Sequence, residues 1–307
     1  MFELIFLGTS ASAPSIQRGL PAQVVKHNEH RFLVDCGEGT QRQILQSGIG
    51  FKRLNRLLIT HGHLDHILGI GGLVSTFLRW EAIDNLEIYG GDSALERIED
   101  LLFKVVIRGV VPPFPIELKT LKKGVFIQEQ DFSISAFPVK HRGSGCFGFV
   151  FEEEGHRPFL AEKAEKLGIP PGPLRRELVQ GKSISLPDGN RISPDDVLGV
   201  YQPGTKLVLV GDTGETKNLE KVCHKADALV IEGTYLYEER ELARDYAHLT
   251  VREAAELAVK AEVGQLLITH VSRRYRDKDV EKEAQVIFPN SVVVRDFDQF
   301  QIKNSSN

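Results

Sequence analysis

Four short apolar runs in this chain each end on a side chain able to hold a metal ion, and that recurrence limits the fold more than any other feature. Residues 57–60 run into His61, 132–139 into Lys140-His141, 207–210 into Gly211-Asp212, and 265–269 into His270. Short apolar runs bounded by glycine or polar residues read as strands. Layered α/β proteins build their sites just past the carboxyl ends of strands, so four such endings are expected to meet at one edge of a sheet.

The densest ending is His61-Gly62-His63-Leu64-Asp65-His66, with three imidazoles and a carboxylate in six residues. Imidazole nitrogen and carboxylate oxygen suit zinc or a similar divalent ion. The competing reading is a polar, His-rich loop, which leaves crowded ionisable groups to repel or desolvate one another. If the strand ends converge, His61, His63 and His141 hold one ion, Asp65, His66 and His270 hold a second, and Asp212 bridges them. Two ions roughly 3.5–4 Å apart lower the pKa of a water between them and neutralise charge on a phosphoryl group under in-line attack. Asp65, beside that water, is also placed to accept its proton.

Between these endings, strands are expected at 2–7, 23–26, 31–35 and 86–89, with three more between 116 and 138. Helices are expected at 41–46, 67–78, 93–105, 218–223, 251–261 and 280–287, with Ser93 as an N-cap and Glu96 completing a capping box. Alternation of this kind predicts an α/β sandwich in two similar halves. Outside the proposed ligand sets, His27, His30, His156 and His224 read as solvated side chains in turns, in an insertion or after a helix end. His248 stands directly before the helical 251–261. A helix amino terminus lowers an imidazole pKa unless an acid offsets it, and Glu232 is the candidate acid. Position alone leaves His248 as either a proton donor to a leaving group or a cap or surface residue.

One segment breaks the rhythm. Residues 152–195 carry several charges, the run Gly168-Ile169-Pro170-Pro171-Gly172-Pro173, and few candidates for a core. Its prolines and glycines argue against helix and central strand, so it reads as an arm with one short helix at 162–167, or as a surface insertion without a role. The whole 307-residue chain, 41 % hydrophobic and 26 % charged, has the composition of a soluble protein able to bury a sizeable core. No apolar run reaches membrane-spanning length and no secretory signal opens the chain, so a cytoplasmic location is expected. A net charge of −4 argues against non-specific coating of nucleic acid, while leaving a local basic patch open. Cys36, Cys146 and Cys223 are far apart and read as buried thiols.

His-x-His-x-Asp-His followed by separate His141, Asp212 and His270 resembles the metallo-β-lactamase superfamily, which implies a four-layer αβ/βα sandwich with a dinuclear zinc site at one edge. Within it, four stretches are similar to motifs of the ribonuclease Z family, endonucleases that remove 3′ trailers from precursor tRNA. They are Phe6-Leu7-Gly8-Thr9-Ser10-Ala11, Asp35-Cys36-Gly37-Glu38-Gly39-Thr40, Gly211-Asp212-Thr213, and the block from His248-Leu249-Thr250 to Thr269-His270-Val271-Ser272-Arg273-Arg274-Tyr275. The resemblance implies two Zn2+ per chain, with Mn2+ or another divalent ion as a substitute, and products with a 3′ hydroxyl on the tRNA and a 5′ phosphate on the trailer. It makes Asp65 a ligand and proton acceptor and His248 the proton donor, and it implies a homodimer.

Gly168, Pro170, Pro171, Gly172 and Pro173 resemble the glycine-proline-rich hand of that family's exosite arm, which grips tRNA away from the cut. Arg273 and Arg274 are either phosphate contacts near the cut or part of a solvated loop. Two departures stand out: Leu249 where the family usually has Ser, and Gly19 where it usually has Asn. Two other functions compete with the resemblance: a small-molecule phosphodiesterase or esterase, which has no need of the arm, and a non-catalytic tRNA-binding factor, which has no need of a complete ligand set.

Overall fold

The structure is a computed structural model that describes residues 1–80 and 82–304. In chain order the first half holds β1 (Phe2–Gly8), β2 (Ala22–His27), β3 (His30–Val34), α1 (Thr40–Ser47), β4 (Arg56–Leu58), α2 (Leu64–Ile67), α3 (Gly69–Trp80), β5 (Leu86–Gly90), α4 (Asp92–Glu99) and β6 (Ile116–Thr120). The strands β7 (Gly124–Gln128), β8 (Phe132–Pro138) and β9 (Phe147–Glu153) follow. Next come α5 (Ala161–Lys166), α6 (Pro173–Val179), β10 (Ile184–Ser185), β11 (Arg191–Ile192) and α7 (Pro194–Val197). The chain then makes β12 (Lys206–Leu209), α8 (Glu220–Cys223), β13 (Ala228–Glu232), α9 (Arg240–Tyr246), α10 (Val251–Lys260), β14 (Leu266–Thr269), α11 (Asp277–Ile287), β15 (Ser291–Val293) and β16 (Gln299–Ile302).

Fourteen of the strands form two seven-stranded sheets, ordered β16-β1-β2-β3-β4-β5-β6 and β15-β14-β13-β12-β9-β8-β7, while β10 and β11 pair with each other. Each contains a parallel run, β3 to β6 in one and β12 to β15 in the other. The two expected halves are therefore real, with β16 returning from the second to pair antiparallel with β1. Three apolar layers explain the stacking. Residues such as Leu33, Leu57, Ile70 and Phe77 fill the space between the first sheet and its helices. Phe2, Phe32, Phe132, Phe149 and Phe151 fill the space between the sheets. Val208, Leu229, Leu249, Ala254 and Leu257 fill the space between the second sheet and its helices. Helix, sheet, sheet, helix is the four-layer sandwich, and the inner parallel strands β4, β5, β12, β13 and β14 are largely buried on both faces, as such strands require, while the edge strand β6 is only partly covered.

Several local expectations change. Helix α4 starts at Asp92 behind Gly91 and has no capping box. Gly91 lies against the 142–146 loop, where a Cβ would come within 2.1 Å of the Gly145 carbonyl oxygen. Ser93 instead donates its hydroxyl to the Ser144 carbonyl at 3.1 Å. A π-helical stretch, Asp100–Val106, continues the helix. His27 is not solvated: it ends β2 and is buried between the rings of Phe2 and Phe132, with centroids at 4.9 and 4.6 Å. All three cysteines are buried thiols. No helix among the described residues is long and apolar enough to cross a membrane.

Glu153–Gly204 forms a compact unit of its own. It has the core that its sequence seemed to lack, made of Ala164, Ile169, Leu178, Ile184, Leu186, Ile192 and Val197. Its glycines and prolines organise helices rather than prevent them. Gly168, at φ +70°, takes the left-handed turn that ends α5, and Pro173 occupies the first position of α6, where a missing N–H costs nothing. Arg175 ties the intervening turn by donating twice to the Ile169 carbonyl, at 2.8 and 3.1 Å.

Candidate metal centre

The strand-end side chains do converge. His61 and His63 follow β4, His141 follows β8, Asp212 follows β12 and His270 follows β14. His61, His63, His141 and Asp212 bring one ligand atom each to within 4.8 Å of one another, and Asp65, His66 and His270 form a second such group. Asp212 Oδ2 lies between them, 3.8 Å from His61 Nε2, 3.9 Å from His141 Nε2, 3.5 Å from His66 Nε2 and 3.3 Å from His270 Nε2. Asp65 Oδ2 stands 3.7 Å from both His66 Nε2 and His270 Nε2.

The electrostatics show why such a group needs cations. His61 Nε2, His66 Nε2 and His270 Nε2 are buried without a hydrogen-bond partner, an arrangement normally costly for polar atoms. Burial, then the neighbouring imidazoles, hold His61 and His63 below the ordinary histidine range. Burial opposes charge on Asp65 and Asp212, yet the surrounding histidines outweigh it and keep both carboxyls ionised far below their usual range. Two ionised carboxylates facing orphaned imidazole nitrogens fit divalent ions of the zinc type.

Four of the histidines are aimed by a neighbour outside the set. His66 Nδ1 meets Asp35 Oδ2 at 2.8 Å, and Asp35 also accepts from the backbone and hydroxyl of Thr60, each at 2.8 Å. Thr60 Oγ1 lies 3.0 Å from His61 Nδ1. His141 Nδ1 meets the Ala247 carbonyl at 2.8 Å, and His270 Nδ1 meets Thr234 Oγ1 at 2.9 Å. Such outer partners fix the ring orientation and the basicity of the ligating nitrogen. Asp35, Ala247 and His270 all have φ between +54° and +57°, an uncommon backbone for residues with side chains, which concentrates strain around the centre. The Ser12 backbone N–H donates to Asp65 Oδ2 at 3.2 Å and closes the other side.

His248 sits beside these groups, its ring centroid 5.0 Å from that of His141 and 5.3 Å from that of His270. Its Nδ1 lies 3.0 and 3.1 Å from the two oxygens of Glu232, the buried last residue of β13. Burial disfavours a charged ring here, but Glu232 outweighs it and the pKa is raised to about 9. The acid expected to offset the helix terminus is therefore in contact. The cap of α10 is Thr250, not His248. Leu249 points into the apolar layer behind the second sheet. Gly19 donates its N–H to Asp296 at 2.6 Å, and a Cβ there would stand 3.1 Å from Gln43 Nε2, so a larger residue would require Gln43 to yield.

Not every candidate joins the centre. Arg274 is exposed and paired with Glu239 at 3.0 Å, the same carboxylate that accepts from the Tyr275 hydroxyl, while Arg273 is exposed. Gly168, Pro170, Pro171 and Gly172, between α5 and α6, and Pro173, the first residue of α6, belong to the separate Glu153–Gly204 unit and are exposed. The residues that sequence reasoning missed are Asp35, Thr60, Thr234 and Ala247. Asp35 carries the one readable signal, a carboxylate just past the end of β3, like the ligands themselves.

Comparison with known proteins agrees with this geometry. Residues 22–156 match the family model described as the metallo-beta-lactamase superfamily. The chain is 47 % identical over 302 residues to a ribonuclease Z of Bradyrhizobium diazoefficiens, covering 98 % of this chain and all of that one. It is 36 % identical to a ribonuclease Z of Archaeoglobus fulgidus, with 98 % of each covered. Its fold is similar to the crystal structure of human tRNase Z, short form, with a TM-score of 0.70 at 23 % identity over 98 % of this chain and 99 % of that one. A metallo-beta-lactamase fold protein from Bacillus subtilis, with a TM-score of 0.69 at 17 % identity and 97 % and 98 % of the two chains covered, shares the fold as well. The fold alone does not separate these proteins, but end-to-end sequence identity does: the chain belongs to the ribonuclease Z family of the metallo-beta-lactamase superfamily.

Proposed function

We propose that this chain is a zinc-dependent endoribonuclease that removes the 3′ trailer from precursor tRNA, leaving a 3′ hydroxyl on the tRNA and a 5′ phosphate on the trailer. The observation that carries the reading is a double ligand set sharing Asp212, with a paired histidine and carboxylate beside it, in a chain of this family. His61, His63 and His141 would hold one Zn2+, Asp65, His66 and His270 the other, and Asp212 both. Two such ions supply an activated water and neutralise charge that builds on the phosphoryl oxygens.

The side chains supply the rest. Asp65, held by the Ser12 N–H, orients the attacking water and accepts its proton. As the water oxygen bonds to phosphorus and the P–O3′ bond breaks, His248 gives its proton to the departing 3′ oxygen. Glu232 favours the charged form of that ring and fixes it through Nδ1, leaving Nε2 as the donor. The Glu153–Gly204 unit is the part that holds tRNA, through the exposed 168–173 turn, and the active form is a homodimer.

The test is to map the cut on an end-labelled precursor tRNA with a defined trailer, alongside metal analysis. A single cut at the trailer junction, a 3′ hydroxyl product and about two zinc ions per chain are expected. Hydrolysis of a chromogenic phosphodiester without any cut in the tRNA would overturn the reading in favour of a small-molecule enzyme. Binding of tRNA and zinc with no cleavage of either substrate would leave a binding factor.

A further inference from the structure

Next to the centre lies a cavity of about 340 Å³, bounded by the His61-Gly62-His63 loop, the start of α4 and the 142–146 loop. This volume falls within the range of small-ligand sites, roughly 300–1,000 Å³. Its walls are locked together before any substrate arrives. A Cβ on Gly62 would stand 3.0 Å from Ala94 Cα, and Gly91 and Gly145 touch backbone to backbone. Ser93 donates to the Ser144 carbonyl, and Arg97 Nη1 donates to the Gly62 carbonyl at 2.9 Å.

Two guanidinium groups line this space, those of Arg97 and Arg142. Arg142 donates to the Asp245 carbonyl at 2.5 Å and lies 4.8 Å from the centre of the Tyr246 ring. Both are exposed, and among the described residues neither forms an ion pair. Arg18, Arg274 and Arg276 are paired, with Asp277, Glu239 and Asp279, while Arg273 is exposed and, like Arg97 and Arg142, forms no ion pair among the described residues, but does not line the cavity. Two arginines held by backbone carbonyls, with their charge uncompensated, suit a phosphate.

The position indicates which phosphate. His61 and His63 border the cavity, whereas His248 does not and stands beside His141 and His270. His248 marks the departing 3′ oxygen and hence the tRNA body, so the side bordered by His61 and His63 faces the group that stays on phosphorus, which is the trailer. We propose that this cavity seats the first nucleotide of the trailer and that Arg97 and Arg142 hold the phosphate joining it to the second. The assignment rests on the trailer-removal reading above.

The experiment compares three precursor tRNAs that differ only in the trailer: one nucleotide ending in a 3′ hydroxyl, one nucleotide ending in a 3′ phosphate, and five nucleotides. For the zinc-loaded protein, kcat/KM is expected to rise about tenfold once the second phosphate is present, the scale of one charge-assisted contact. Arg142→Ala is expected to erase that preference, and Arg142→Lys to restore part of it. Arg142 is the cleaner probe, because Arg97 also supports the His61–His63 loop. As a binding readout, a 5′-phosphorylated dinucleotide is expected to bind the intact protein about tenfold more tightly than the mononucleotide, with the advantage lost in Arg142→Ala. Equal kcat/KM for all three substrates in the unaltered protein overturns the assignment. So does an Arg142→Ala variant that slows all three by the same factor, which would make the arginine a support for its loop. If the unaltered protein cuts none of them, the trailer-removal reading falls first and this assignment falls with it.

Discussion

In the body of the molecule three apolar layers, with phenylalanines filling the middle one, press on two seven-stranded sheets. In the Glu153–Gly204 unit the buried apolar cluster is seven residues, none larger than Leu or Ile. Burying one such side chain contributes roughly 1.5–3 kcal/mol, so a unit of this size holds itself only marginally against the entropy of ordering its chain. The centre, by contrast, sits on strand ends of the body, with four of its histidines aimed by a second group. Under the proposed function the difference separates two tasks: ligand atoms must be held to fractions of an ångström, whereas a surface that only grips substrate tolerates opening and closing.

The widest break between the regions comes from Asp65→Ala. Cleavage is expected to fall below detection while precursor tRNA binding, measured by gel shift, is retained; loss of binding in parallel would show that the two tasks are not separate. Replacing 153–204 with a short Gly-Ser link is next. It should weaken tRNA cleavage by about 10²- to 10⁴-fold, the scale gained by linking a second contact, and leave hydrolysis of a chromogenic phosphodiester intact. Equal losses of both activities would sink the idea that this unit holds tRNA.

Leu178→Ala sharpens the contrast within the fold. A loss of about 2–5 kcal/mol is expected, confined to one unit. Amide exchange should then quicken across 153–204 and stay slow in β12 to β14; uniform quickening would mean a single cooperative structure. Asp35→Asn acts on the other side, lowering metal affinity about 10- to 100-fold through the His66 ring. Chelator competition measures it, and an unchanged affinity would remove Asp35 from the centre. Smallest is Thr250→Ala, which deletes the cap of α10 and should cost about 1 kcal/mol in denaturant unfolding with little change at His248. A much larger drop in activity than in stability would give Thr250 a role in aiming the histidine.

The convergence of the candidate ligands was legible in the sequence because they stand at, or a few residues past, the point where an apolar run stops, a boundary that composition marks. Their supports were not. Ala247 contributes a carbonyl, which every residue has, and Asp35 and Thr234 act through side chains distant in sequence. The left-handed backbone at Asp35, Ala247 and His270 is imposed by packing and leaves no mark on residue type. His27 looked like part of a turn, yet the pleat of β2 sends its ring between two phenylalanines. The arm's core stayed hidden because its Ile and Leu residues arrive singly among glycines, prolines and charges, without the periodicity by which a buried face is recognised.

The pairing of β16 with β1 has a consequence for how the protein is made. During synthesis, β1 leaves the ribosome first and pairs with β2, but its other edge waits until every remaining strand of both sheets has been translated. For that interval it presents a row of unsatisfied backbone groups, the kind of edge to which foreign strands add. Truncated or stalled chains lacking only the last few described residues would thus keep every proposed ligand and still expose a template for aggregation.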